Sequence, residues 1–166
     1  PRELTPVDLR QVILRVEHML TPLAQQAHIT FQLDLSGGCR VSSTEDDLYQ
    51  IAFNLMENAV KYNLPGGKVM VSLFPRRGRT AAEGDLVILR VEDTGVGIPE
   101  DDLSKIFDRF YRVDKARSRE AGGTGLGLSI VRDAVLQNGG QIQVRRRAPE
   151  GTCFEVTFPR WKEDKP

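Results

Sequence analysis

Apolar positions along the chain switch between a spacing of three to four residues and a spacing of two, and the switches lay out alternating helices and strands. Leu9, Val12, Ile13, Val16, Leu20 and Leu23 recur at helical spacing behind Thr5-Pro6 and the acidic Asp8. They predict a capped amphipathic helix to about residue 27, kinked or split by Pro22 near Thr21. Ile29, Phe31, Leu33 and Leu35 alternate with polar residues, a half-buried strand ended by Gly37-Gly38. Thr44 followed by Glu45, Asp46 and Asp47 opens a second helix, favoured by capping and by the macrodipole. This helix runs to about Tyr62 and is stopped by Pro65-Gly66-Gly67. Strands over 68–74 and 86–92 follow, joined by a flexible Gly- and Arg-rich hairpin loop at 77–84. Pro99 with Glu100, Asp101 and Asp102 sets up a short helix. Residues 126–136 form a third long helix stopped by Asn138-Gly139-Gly140. Residues 141–145 and 152–158 close the chain as a hairpin, with Phe154, Val156 and Phe158 inward and Pro149-Glu150-Gly151 in the turn. A charged tail, 160–166, ends it.

The second helix is the unusual one. At about 100° per residue, Leu48, Ile51, Ala52, Leu55, Ala59 and Tyr62 make one apolar stripe, and Phe53, Met56 and Val60 a second beside it. A helix patterned in this way is buried on two sides. The remaining arc carries Gln50, Asn54, Glu57, Asn58 and Lys61, and it turns either to solvent or to a polar cleft.

Composition narrows the partners. The 166 residues, 40% of them hydrophobic, suit one globular domain. Lys+Arg and Asp+Glu both total 23, so charge gives no argument for nucleic acid or an anionic membrane as partner. Cys39 and Cys153 lack metal-ligand spacing and read as reduced packing residues of a cytosolic protein. No apolar run approaches the roughly 20 residues that span a bilayer, and no signal segment opens the chain. The Pro-Arg-Glu start suggests a fragment of a longer protein.

Two stretches hold chemistry. The strand over 86–92 runs into Asp93-Thr94-Gly95-Val96-Gly97-Ile98-Pro99, which reads either as a plain turn or as a ligand site. An ionised Asp93 only accepts hydrogen bonds and so favours an exocyclic amine such as that of adenine. Gly95 and Gly97 let backbone approach a flat base. Ile106-Phe107-Asp108-Arg109-Phe110-Tyr111-Arg112, a basic stretch with Lys115, Arg117 and Arg119, and Gly123-Thr124-Gly125-Leu126-Gly127-Leu128 then follow. A glycine-rich turn leading into a helix offers free backbone N–H groups to an anion, and nearby arginines suit a polyphosphate.

A polar-arc helix, a strand ending in Asp-x-Gly-x-Gly, an aromatic box, a basic loop and a Gly-Thr-Gly-Leu-Gly-Leu helix start occur in this order within about 85 residues. In that combination the chain resembles the ATP-binding catalytic domain of bacterial two-component sensor histidine kinases. That domain has the Bergerat fold shared with DNA gyrase, MutL and the ninety-kilodalton heat-shock chaperones. Asn54 to Tyr62 matches the asparagine box, Asp93 to Gly97 the first glycine box, Phe107 to Phe110 the phenylalanine box and Gly123 to Leu128 the second glycine box. The run from Phe110 to Arg119 is most similar to the phosphate-regulon and cell-wall sensor kinases.

The resemblance implies an α/β two-layer sandwich, a mixed sheet of about five strands with three main helices on one face, and a mobile ATP lid within 98–124. It implies Mg²⁺ held by the amide oxygen of Asn58, phosphate charge neutralised by Lys61 and Arg112, adenine packed by Tyr62 and its amine accepted by Asp93. Gly95, Gly97 and Ile98 belong to the same ATP site. Gly123, Thr124, Gly125, Leu126, Gly127 and Leu128 line the phosphates, with backbone N–H groups offered by Gly125, Leu126 and Gly127, and Phe107 and Phe110 anchor the lid.

By the same likeness the residue four before the Mg²⁺-binding asparagine is a water-activating glutamate in the gyrase-like relatives. Here it is Asn54, which takes no proton at neutral pH, so hydrolysis is expected to be slow and phosphoryl transfer to a histidine favoured. Glu57 lies about 60° round the helix from Asn54 and pairs instead with Lys61. His18-Met19-Leu20-Thr21-Pro22-Leu23 resembles the phosphoacceptor box but fails it: Thr and Pro come one residue early and Met19 replaces the acidic neighbour. His18 and His28 are read as surface or boundary residues, and the phosphoacceptor and sensor domains are expected N-terminal to this fragment. The expected partners are that dimerisation domain and a response regulator, in a membrane-bound homodimeric parent whose catalytic fragment is cytoplasmic and monomeric. The rivals are a serine kinase of the anti-sigma-factor type and a non-catalytic ATP-sensing module.

Overall fold

A computed structural model describes residues 2–109, 111 and 127–162. Its elements run β1 (Thr5–Asp8), α1 (Leu9–Gln26), β2 (Thr30–Leu35), β3 (Arg40–Ser43), α2 (Glu45–Lys61), β4 (Lys68–Arg76), β5 (Leu86–Asp93), a 3-10 turn (Glu100–Asp102), α3 (Gly127–Gln137), β6 (Gln141–Arg146) and β7 (Thr152–Pro159). The main sheet has the order β2-β4-β5-β7-β6. β2 pairs with β4 in parallel, and the other three pairings are antiparallel. The sheet is therefore mixed, open and five-stranded, as expected.

Alternation places Val69, Val71 and Leu73 of β4, Val87, Leu89 and Val91 of β5, and Phe154, Val156 and Phe158 of β7 on one face. All nine are buried in the same apolar cluster as the inward residues of α1, α2 and α3. The opposite face is more polar: Arg90 and Arg145 both reach Glu155, at 2.9 and 3.3 Å, and Arg90 lies over the Phe74 ring. These arginines hold the Glu155 carboxyl below its usual range although its burial pushes the other way.

Two expectations about the first elements are corrected. Thr5 does not cap α1, because Thr5–Asp8 is a strand; the cap is Asp8, whose Oδ1 accepts from the Arg10 N–H at 3.1 Å. Its partner, β3, falls in a stretch with no strand expectation, and the two form a separate antiparallel ribbon in which Val7 faces Val41. Nor does Pro22 split α1. The helix continues through it, and the Thr21 hydroxyl just before it donates to the Glu17 carbonyl at 2.8 Å. The short helix after Pro99 is a single 3-10 turn.

Thr44 caps α2 as its sequence suggests, accepting from the Asp47 N–H at 3.1 Å, with Glu45, Asp46 and Asp47 in the first turn. Thr44→Ala is expected to lower unfolding stability by about 1 kcal/mol and Thr44→Ser by much less, a comparison that urea titration resolves. Both cysteines are free and buried, and His18 and His28 are exposed. Among the described residues no helix is long and apolar enough to cross a membrane.

Candidate functional site

The site is built on α2. Leu48, Ile51, Ala52, Leu55, Met56, Ala59 and Val60 are buried, so the two apolar stripes fix the helix on both sides. Asn54, Glu57, Asn58, Lys61 and Tyr62 are half-buried, while Gln50 at the near end of the arc is exposed. The arc is thus neither core nor open surface. Lys61 and Glu57 pair at 3.5 Å, the contact expected from their spacing.

Asp93 ends β5, the second strand of the β4–β5 hairpin, and lies opposite Thr152 of β7. It is only 8% exposed. Burial pushes its carboxyl up from the usual 3.8 to about 6, against the pull of N–H donors from Gly95 and Thr152 and the charge of Arg147. The Gly95 N–H reaches Oδ1 at 2.9 Å. No side-chain cation among the described residues forms an ion pair with this carboxylate. Among the described residues the Gly95 and Thr152 N–H groups donate to this carboxylate, and each carboxylate oxygen has two lone pairs to accept with.

The glycines are required by close approach. A Cβ on Gly95 would stand 2.6 Å from the Tyr62 carbonyl oxygen, so the turn after Asp93 lies directly on the last residues of α2. Gly97 has φ +81 and packs against the Gly151 carbonyl, which brings in the β6–β7 turn from the other side. Asp93, Gly95, Gly97 and Tyr62 therefore come together at one end of the sheet. Ile98 packs on the core beside them.

Beyond Ile98, Ile106 is buried and Phe107 meets Phe154 edge-on, with ring centroids 6.3 Å apart. Phe107 is therefore anchored in the core. Burial pushes the Tyr111 phenol up to about 12, reinforced by its hydrogen bond to Asp102 and that residue's charge. Gly127 begins α3 and Leu128 packs on the core. Phe110, Arg112, Gly123, Thr124, Gly125 and Leu126 lie outside the described residues, as does most of the expected lid.

Sequence reasoning assigned no role to several residues that shape this end of the sheet. Asn63 and Thr152, both polar, are 8% and 4% exposed. Thr152 shares the inward alternation of Phe154, Val156 and Phe158, and a polar residue in that series was a readable signal. Asn63 directly follows Tyr62, between the expected helix and its Pro65-Gly66-Gly67 stop, and nothing in the local sequence singles it out.

Known proteins share this fold. Residues 43–162 match the family model for the histidine kinase-, DNA gyrase B-, and HSP90-like ATPase. The chain is 38% identical over 144 residues to the sensor histidine kinase WalK of Bacillus subtilis, covering 86% of this chain and 23% of WalK. Among solved structures, the mycobacterial sensor histidine kinase MprB superposes with a TM-score of 0.77 at 29% identity, covering 95% of this chain and 98% of that one. Full-length ShkA in complex with AMPPNP superposes with a TM-score of 0.79 at 26% identity, covering 99% of this chain and 33% of ShkA. The chain thus spans about a quarter of the length of the curated relative and a third of ShkA. The chain belongs to the family of histidine kinase-, DNA gyrase B- and HSP90-like ATPase domains.

Proposed function

We propose that this domain binds Mg-ATP and passes the γ-phosphoryl group to a histidine on the dimerisation domain of its own sensor kinase, in two-component signalling. The observation that carries the reading is Asp93: a buried carboxylate with no cation paired to it among the described residues, aimed from a strand end beside two close-packed glycines. Ionised, it accepts from the adenine amine and repels a carbonyl at the same place. Tyr62 packs against the base, and Gly95, Gly97 and Ile98 complete its pocket.

The phosphates then extend along the polar arc of α2 toward the start of α3. Lys61 neutralises them in exchange for, or while sharing, its pairing with Glu57. Gly127 and Leu128 lie at the α3 start, and the expected contributions of Arg112, Gly123, Thr124, Gly125 and Leu126 belong to the same phosphate site. The residues present fit Mg²⁺. Asn58, half-buried on the polar arc, would supply one amide oxygen and leave the other positions to phosphate oxygens and water, as this ion prefers. When bound, Mg²⁺ neutralises charge on the phosphate oxygens.

Asn54 accepts no proton, so water is not activated there, and the domain favours transfer over hydrolysis through positioning and charge neutralisation. Phe107 and Phe110 anchor the lid within 98–124. The phosphoacceptor and sensor parts lie elsewhere in a membrane-bound homodimeric parent, with this domain cytoplasmic and a response regulator as the next acceptor. Supplied separately with its dimerisation domain and labelled ATP, the domain is expected to produce an acid-labile, alkali-stable phosphate on that partner. An acid-stable product would indicate a serine kinase, and ATP binding without transfer a sensing module.

A further inference from the structure

The turn after Asp93 is tied to the end of α2 by side chains that the nucleotide reading leaves unused. Asn63 donates from Nδ2 to the Lys68 carbonyl at 2.9 Å, and its Oδ1 accepts from the Leu64 N–H at 2.8 Å and from the Thr94 hydroxyl at 3.3 Å. Thr94 Oγ1 in turn accepts from the Lys68 N–H at 2.9 Å, and the Thr94 N–H reaches the Lys68 carbonyl at 3.2 Å. The N–H of the first β4 residue is therefore held by the Thr94 side chain and its carbonyl by that of Asn63, and these two side chains also contact each other.

Gly67 confirms how closed this bracket is. A Cβ there would stand 2.4 Å from Asn63 Oδ1 and 2.7 Å from Thr94 Oγ1. With Gly95 already against the Tyr62 carbonyl, the segment Asp93-Thr94-Gly95 has little freedom to slide relative to α2. Two parts of the chain, 62–68 and 93–95, are clipped into one unit.

We propose that Asn63, acting through Thr94, is a positioning residue that fixes the Asp93 carboxylate relative to Tyr62 and so sets selectivity for an amino-substituted purine. The inference rests on the reading of Asp93 as the acceptor of the adenine amine. Asn63 touches no ligand in this account. Its effect is on aim: a donor–acceptor pair weakens steeply when its angle or distance drifts, whereas stacking and phosphate contacts tolerate such drift.

The clip is therefore expected to govern discrimination between bases more than overall affinity. The probes are ATP and inosine triphosphate, which carries a carbonyl where adenine has its amine. Affinities of both are measured for the wild-type domain, Asn63→Ala, Thr94→Val and Thr94→Ser, with thermal unfolding recorded for each. The wild-type domain is expected to prefer ATP strongly. Asn63→Ala and Thr94→Val are expected to cut that preference about fivefold or more, the scale of one or two weakened hydrogen bonds, while Thr94→Ser retains it. Because they break one bracket, the double variant should lose little more than either single one.

Thr94→Val is nearly isosteric and keeps the test open should Asn63→Ala fold poorly. Equal losses for both nucleotides, leaving the ratio at the wild-type value, would reduce the clip to a structural contact and overturn the proposal. A wild-type domain that binds ATP but does not prefer it would instead overturn the role of Asp93 itself.

Discussion

Asp93→Asn is expected to yield a domain that unfolds at a higher temperature without nucleotide and binds ATP about 100-fold or more weakly. Both effects come from one fact, the burial of a carboxylate whose ordinary value of 3.8 is pushed to about 6. A group whose value is raised by folding binds its proton more tightly in the native chain, so its contribution favours the fold at low pH. That contribution is lost as pH rises through about 6. At pH 7 the ionised carboxylate costs about 3 kcal/mol relative to the unfolded chain.

Asparagine carries no charge and can still accept the Gly95 N–H, which now reaches Asp93 Oδ1 at 2.9 Å. Part of the cost returns, and a net gain of about 1 kcal/mol, or a few degrees in a domain of this size, is expected at pH 7. The gain should be gone by about pH 5 and reversed below about pH 4, where Asp93 is protonated in both states and the asparagine has no charge penalty left to relieve. The same change places an amide donor, or an ill-aimed acceptor, where the adenine amine needs a carboxylate. Thermal scans at pH 4 and 7, with calorimetric titration of ATP, measure both arms.

Gly151→Ala is expected to be among the most damaging single methyl additions in the protein. The new Cβ would stand 1.8 Å from the Asp93 carbonyl oxygen and 3.2 Å from Thr94 Cα, at a residue whose φ is +110. Those neighbours are backbone, so no side chain can swing aside. The β6–β7 turn must lift from the end of β5, loosening the Asp93–Thr152 register and the packing of Gly97 against Gly151. A loss of about 3 kcal/mol, near 10 °C in melting temperature, is expected, together with weakened ATP binding. Gly84→Ala is the control, since φ there is +73 with nothing near a new Cβ. It should cost only about 1 kcal/mol and leave ATP binding unchanged.

Strong periodicity explains which parts of the fold were legible in the sequence. α2, β4, β5 and the β6–β7 hairpin each carry several apolar residues in one register, and each lies within a few residues of its expected place. The β1–β3 ribbon was missed because it has four residues per strand, a proline in one of them and one buried hydrophobic pair, Val7 and Val41. Its pairing joins segments some 35 residues apart, and nothing local announces it. Thr5-Pro6 looked like a helix start for the same reason: capping residues are common in short edge strands too.

The site divides similarly. Asn54, Asn58, Lys61, Tyr62 and the Asp93 turn were legible because polar residues and glycines interrupt apolar patterns there. Asn63 was not, since its importance comes from contacts across the sheet end with Lys68 and Thr94; Thr152, which reaches Asp93, shows in the sequence only as a polar residue in an inward apolar series. Gly151 looked like an ordinary turn glycine. What makes it critical is the strand end of β5, more than fifty residues earlier in the chain.

The central claim, that Asp93 is the buried acceptor of the nucleotide base, is tested most directly by following its side-chain carboxyl carbon by NMR through a pH titration. In the free domain the signal is expected to titrate near 6. With saturating Mg-ATP, a donor from the base stabilises the ionised form, and the midpoint should fall to the ordinary carboxylate range of about 4 or below. A midpoint left near 6 by bound nucleotide would contradict the account, because a carboxylate that contacts the base cannot be indifferent to it.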